Sequence, residues 1–309
     1  MREYVFNYND KFKCKNKDCK HNCCIGWKIS ISKRALNKYK LLSKTDSRFI
    51  ENETFSRDGF ILKNDRCPFL EKDNLCYIIN NYGENNLCTT CKTHPRFKSF
   101  FSSLTETGLG LYCEEAGKQI LSFKPKMKPV LTKQKGKDVS PTPFEKKIFA
   151  FRKKALKIIQ NRKLTICDRL NLLSNLTSVK LDKKEYVEWI KILFSLEKLD
   201  KDRDEIFFPL LKKSSFSPIP CGFELEFEQL LSYLVYRHVS RAIDNLDLSV
   251  RLAFCILMFR FMLEVFSTFP TKTIENLVES ARIISSEIEC SDQNVITILN
   301  TIEQLISFI

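Results

Sequence analysis

The chain has 309 residues, 43% hydrophobic and 28% charged, with 51 Lys and Arg against 37 Asp and Glu. This length and composition suffice to bury at least one sizeable core and exclude a disordered, collagenous or coiled-coil chain. The net charge of +14 favours an acidic partner, whether nucleic acid, an anionic membrane or an acidic protein surface. No apolar secretory stretch opens the sequence, and the longest apolar run, Leu252 to Phe259, is flanked by Arg251 and Arg260. A soluble, cytoplasmic protein with no membrane insertion is expected.

Residues 1–123 are cysteine-rich, broken by Asn, Asp and Gly and short of long periodic segments, as where metal bonds replace part of a hydrophobic core. Ser32 is placed as the N-cap of a helix carrying Leu36, Tyr39, Lys40 and Leu42 and ending near Lys44. Cys67 to Leu70, the polar stretch 71–74 and Leu75 with Cys76 read as a short hairpin that brings Cys67 and Cys76 together. Gly83 suits a helix stop, and Phe97, Phe100 and Phe101 fit a core strand. Residues 124–143, with four prolines and six lysines before the first acid at Asp138, read as an exposed, mobile linker, a solvated connector more than an anion-binding arm.

From 144 to 309 apolar positions recur at helical spacing, as in Phe144, Ile148, Phe151, Ala155, Ile158 and Ile159, and again in Val187, Ile190, Leu193 and Phe194. The segment VRLAFCILMFRFMLEVF within 249–269 is apolar on most faces and belongs at the centre of a helical bundle. Cys255 is a packing residue there, Cys167, Cys221 and Cys290 read as isolated buried thiols, and His238 is structural. The expected fold class is mainly α: an N-terminal cysteine-rich metal-binding module with a short hairpin, followed by a C-terminal α-helical domain.

Nine of the 13 cysteines fall between Cys14 and Cys113. In a reducing cytosol such a group holds metal in preference to disulfides. The spacing runs Cys14-x4-Cys19-x3-Cys23-Cys24, then Cys67-x8-Cys76-x11-Cys88-x2-Cys91, then Cys113. Only Cys88 and Cys91 form a short knuckle and the three histidines stand apart, so this is not a zinc-finger pattern, and zinc is the alternative metal. Iron–sulfur clusters take four thiolates at irregular spacing from several loops, and adjacent cysteines such as Cys23 and Cys24 can serve different centres. Residues 1–40 carry eleven Lys or Arg against three acids. That charge eases thiol ionisation, which from a pKa of ~8.5 costs roughly 2 kcal/mol at pH 7.

Four segments, FKCKNKDCKHNCCIGWKISI, CPFLEKDNLCYI, LCTTCKTHPR and SLTETGLGLYCEEAGKQIL, resemble in this order the flagellin lysine N-methylase family. They also resemble the broader CxxCxxCC family of iron- or zinc-chelating proteins. The likeness covers about residues 4–123. It implies a protein lysine N-methyltransferase that moves a methyl group from S-adenosylmethionine to surface lysines of flagellin and carries an iron–sulfur cluster, of 4Fe-4S type. By position the family's cysteines fall on Cys14, Cys19, Cys23, Cys24, Cys67, Cys76, Cys91 and Cys113, with Cys88 a less certain member. Eight thiolates exceed one cluster's need, so either there are two centres or several cysteines serve structure. The chain departs from the family at His94, where an aromatic usually precedes Pro-Arg, and at Glu114, where a proline usually follows the last cysteine. A GxGxG loop after a strand and the radical-type CxxxCxxC spacing are both missing, so the donor site is of another kind.

A lysine amine titrates near ~10.4, and neutralising it at pH 7 costs roughly 4.6 kcal/mol. Glu106, at an acidic family position, is the candidate catalytic group to accept that proton or orient the amine. Arg96 is the candidate for the donor's carboxylate and Trp27 for its sulfonium, by cation–π attraction. The plainer readings are that Arg96 and Glu106 pair or face solvent, that Trp27 packs, and that His21 and His94 are polar loop residues. The alternative function is a non-catalytic zinc- or iron-chelating interaction module. Nucleic-acid binding finds no helix-turn-helix or finger pattern to support it.

Overall fold

The structure is a computed structural model that describes residues 2–9, 12–27, 29–134, 136 and 139–306. It is mainly α, with twelve α-helices among the described residues. The chain divides into a small unit, Lys13–Arg96, and a large unit, Met1–Phe12 with Phe97–Ile309. This division differs from the expected breaks at 123 and 143, and the cause is strand pairing: β1 (Arg2–Phe6) opens the chain but finds its partners beyond the small unit.

In the small unit the Ser32 hydroxyl caps α1 (Lys33–Leu42), accepting the Ala35 N–H at 3.3 Å, as the sequence predicts. β2 (Phe55–Ser56) and β3 (Gly59–Phe60) form a short antiparallel ladder. Tyr39, Phe49, Phe55, Phe60 and Phe69 are buried, with ring centroids 4.7–6.3 Å apart. Each such ring contributes about 1.5–3 kcal/mol of burial. The hairpin forms as expected: Leu70 bridges Cys76, and the Tyr77 N–H donates to the Phe69 carbonyl at 2.8 Å. α2 (Tyr77–Tyr82) stops at Gly83, where φ is 77°, and α3 (Thr89–Thr93) follows. Gly59 has φ +142°, and a Cβ there would lie 2.4 Å from the Ile29 carbonyl oxygen. Gly59→Ala is therefore expected to destabilise the small unit by about 2 kcal/mol, seen as a lower urea midpoint; an unchanged midpoint would show that the backbones can part without cost.

In the large unit β4 (Arg96–Phe100), β5 (Leu104–Leu109) and, after α4 (Glu114–Leu121), β6 (Pro129–Gln134) join β1 in the order β4-β5-β1-β6. β1 runs parallel to β5 and antiparallel to β6, so that Val5 faces both Thr107 and Val130. The stretch read as a mobile linker thus contains a strand, and it is docked: Met127 is buried and its carbonyl accepts from Gln160 Nε2 at 2.9 Å. Lys135, Lys137 and Asp138 of that stretch lie outside the described residues. Strand alternation splits the phenylalanines, Phe97 and Phe101 packing on the core while Phe100 is 75% exposed.

Thr142 opens α5 (Pro143–Ile159) with a capping box to Glu145. Then come α6 (Ile166–Leu176), α7 (Tyr186–Ser195), α8 (Arg203–Phe207), α9 (Glu224–His238), α10 (Asn245–Thr268), α11 (Ile274–Glu289) and α12 (Asp292–Glu303). α10 is buried on nearly every face and packs against α6, α9, α11 and α12, where an all-round apolar helix belongs. Among the described residues no helix is long and apolar enough to cross a membrane. Cys255 is buried in α10, whereas Cys167, Cys221 and Cys290 are exposed. These three were expected inside; they sit in the first turn of α6, in a loop and at the end of α11, where the chain meets solvent.

Candidate metal centre

Backbone pairing decides which cysteines of the small unit meet. The Cys67 N–H donates to the Cys24 carbonyl and the Gly26 N–H to the Asp65 carbonyl, both at 2.8 Å, lacing the two segments together. The hairpin returns Cys76 towards Cys67. Cys76 is the N-cap of α2 and Cys88 the N-cap of α3, with Cys91 one turn further on. Cys67 and Cys88 are buried, Cys23, Cys24, Cys76 and Cys91 half-buried, and no disulfide joins any of the six.

The six sulfurs act on one another. A thiol–thiol hydrogen bond with Cys24, followed by burial, pushes the Cys23 thiol up. Burial pushes Cys67 up to about 12 against a hydrogen bond from the Phe69 N–H, and Cys76, Cys88 and Cys23 add to the rise. Burial also pushes Cys76 up, opposed by the N–H groups of Ile79 and Ile78 in the first turn of α2. Cys88 and Cys91 share one proton. The hydrogen bond from the Cys91 thiol, aided by the N–H groups of Cys91 and Thr90, overcomes burial and holds Cys88 below the ordinary thiol range. The same bond, then burial, then the nearness of Cys24 and Cys67 push Cys91 up. Cys88 is therefore the thiolate of the pair.

An all-sulfur donor set with N–H groups aimed at Cys67, Cys76 and Cys88 fits a thiolate-held metal, since such contacts orient ligands and stabilise their charge. Among the described residues no three His, Cys, Asp or Glu side chains stand close enough to hold an ion as placed. The six are thus neighbouring thiols of one sulfur-rich region, not a metal cage.

The other candidates are placed differently. Cys14 is exposed and Cys19 half-buried on either side of the 3-10 turn Asn16–Asp18, and Cys113 belongs to the large unit as the N-cap of α4. Trp27 is 39% exposed; its indole N–H donates to the Cys23 carbonyl at 2.7 Å, and its ring centre lies 6.1 Å from that of His94. Burial, then the Arg96 charge, lowers His94 to about 4, so its ring is neutral at pH 7. His21 is exposed.

Glu106 is not placed as a general base. It is buried on β5 with both oxygens held by Arg152 at 2.6 Å, and Arg152 also donates to the Ser240 hydroxyl at 2.6 Å. The guanidinium lies 4.8 Å over the Tyr236 ring. A carboxylate bound this way is half of a structural ion pair, and protonating it would leave Arg152 buried and unmatched. Sequence reasoning weighed Arg96 as its partner; Arg152, which has no local signal, lies 46 positions away on α5. Cys88, the less certain member by resemblance, lies beside Cys91, as the Cys88-x2-Cys91 spacing suggests.

Two proteins named Lysine-N-methylase, from Salmonella typhimurium (strain LT2) and Salmonella choleraesuis, are each 30% identical to this chain, over 127 and 126 residues, an alignment covering 36% of it. The Flagellar biosynthetic protein FliU of Salmonella muenchen is 30% identical over 126 residues, covering 36% of this chain and 72% of that protein. The chain belongs to the lysine-N-methylase and FliU family. It spans about 30% of the length of the two lysine-N-methylases it matches. No protein-family model and no solved structure matches this member of the family.

Proposed function

We propose that the chain is a protein lysine N-methyltransferase that uses S-adenosylmethionine to methylate surface lysines of flagellin, with a 4Fe-4S cluster held by its cysteines. The observation that supports this most is the meeting of Cys23, Cys24, Cys67, Cys76, Cys88 and Cys91 in a chain whose relatives carry the name Lysine-N-methylase. Four thiolates hold one cluster. Cys67, Cys76, Cys88 and Cys91 are assigned to it, with Cys23 and Cys24 adjoining. When bound, the cluster would supply a redox-active, Lewis-acidic iron beside the methyl donor.

The chain's own residues bind and orient. Trp27 offers an exposed aromatic face next to Cys23, suited to a sulfonium by cation–π attraction. Arg96 supplies a guanidinium for the donor's carboxylate. His94, neutral at pH 7, adds no positive charge that would repel a sulfonium or an incoming lysine. The substrate amine must still shed a proton, at roughly 4.6 kcal/mol. With Glu106 locked to Arg152, another group takes it. Reduced thiols call for a cytoplasmic setting.

The test is incubation of anaerobically purified, metal-loaded protein with methyl-labelled donor and flagellin. Label on flagellin lysines and a brown, iron-containing protein are expected. Absence of label with iron in place would overturn the methyltransferase reading, and a colourless zinc protein that binds no donor would make the chain a non-catalytic chelating module.

A further inference from the structure

One segment of this chain is strongly basic. Residues 124–163 hold fourteen Lys and Arg against two acids, Asp138 and Glu145, a net of +12. Within the large unit this segment builds β6 and α5, and it lines an open cleft of about 310 Å³. Half-buried Phe149, backed by buried Met127, Leu156 and Tyr236, gives the cleft an apolar floor, while Lys128, Lys153 and Lys157 line it as exposed side chains. Arg152 also lines it, but its charge is matched by Glu106.

A run of lysines is ordinarily a solvated face. An apolar floor ringed by one sign of charge is different, because it selects a ligand that is apolar at one point and anionic around it. We propose that this cleft docks an acidic peptide segment of a protein partner. An apolar side chain sits on the floor, and flanking carboxylates meet Lys128, Lys153 and Lys157. Nucleic acid fits less well, since base stacking needs exposed aromatic faces along a track. Of the two lining rings Tyr236 is buried beneath the Arg152 guanidinium and Phe149 is half-buried, 5.5 Å from that guanidinium, so they make no aromatic track. The inference is independent of methyl transfer and of any bound metal, because every residue it uses lies in the large unit and none is a cysteine.

The experiment titrates the full chain against three fluorescent probes: a peptide with a central leucine among glutamates, its glutamine counterpart, and a single-stranded oligonucleotide of equal charge. The acidic peptide is expected to bind at least about tenfold tighter than the glutamine peptide. Lys153→Glu with Lys157→Glu should weaken it by about tenfold or more, and exchanging the central leucine for serine by several-fold. Lys146→Glu with Lys154→Glu makes the same charge change on exposed lysines of α5 outside the cleft and should cost less than about threefold. Equal losses in the two double variants would reduce the effect to diffuse charge and overturn the site. So would tighter binding of the oligonucleotide, or no binding of the acidic peptide by the unaltered protein.

Discussion

Replacing Cys88 and Cys91 together with serine is expected to abolish metal loading, read as loss of bound iron or zinc by elemental analysis and loss of any visible absorption. The pair shares one proton, and N–H groups of Thr90 and Cys91 already stabilise the Cys88 thiolate. Cys88 is thus held as a thiolate, where an ordinary thiol would cost roughly 2 kcal/mol to ionise at pH 7, and Cys91, pushed up, must surrender its proton to an incoming metal. A serine hydroxyl does not ionise in this range, so both donors vanish. Cys167→Ser, on an exposed thiol of the large unit, should leave loading unchanged. Cys14→Ser, exposed and outside the six, should lower it by less than about twofold, since four thiolates suffice for one centre. Full loading of the double variant together with loss in the Cys14 variant would move the centre elsewhere and dissolve the proposed ligand set.

The determinants of α1 and of the hairpin are local, and both are legible in the sequence. A hydroxyl stands just before apolar residues at helical spacing in one, and a polar turn separates apolar pieces in the other. β6 is not legible, because its pairing partner β1 lies at the far end of the chain and its lysines and proline imitate a linker. Pro129 is tolerable as the first residue of a strand at the end of the sheet order, where a missing N–H costs no inner ladder bond. Glu106 is ambiguous in one dimension for a similar reason. A buried acid matched by a distant arginine and an acid waiting for a substrate amine look alike until Arg152 is placed. The cysteine spacing tells which donors are abundant, while the Cys24–Cys67 backbone bond and the starts of α2 and α3 decide which of them meet.

Glu289→Gln is expected to remove much of the acid sensitivity of the large unit, and Glu289→Ala to destabilise it by about 3–5 kcal/mol, the usual result of leaving a buried charge unmatched. Glu289 meets Arg237 Nε at 2.9 Å, His238 Nε2 at 2.6 Å, the Tyr233 hydroxyl at 2.8 Å and the Ser285 hydroxyl, tying α9 to α11. Burial acts to raise this carboxyl, but the Arg237 charge, then His238 and Ser285, overcome it and hold the group at about 2, against 4.5 as the ordinary value. A depressed carboxyl contributes its stability in full above the unfolded value and loses it as the pH falls through 4.5 towards 2. At 1.36 kcal/mol per pKa unit the whole contribution is about 3 kcal/mol, of which about 2 is gone by pH 3. His238 acts in the same direction. Burial, outweighing Glu289, holds it below 6.5, so under acid the unfolded chain takes up a proton that the folded one resists. In urea titrations at pH 7 and pH 3, Glu289→Gln should begin less stable than the unaltered protein yet lose about 2 kcal/mol less between the two conditions. An equal loss in both proteins would place the acid sensitivity in other carboxylates. The Tyr233 hydroxyl also accepts the Leu111 N–H at 3.2 Å, so the same acid step loosens the segment that leads into Cys113 and α4, and amide exchange at Leu111 should quicken in step with the loss of stability.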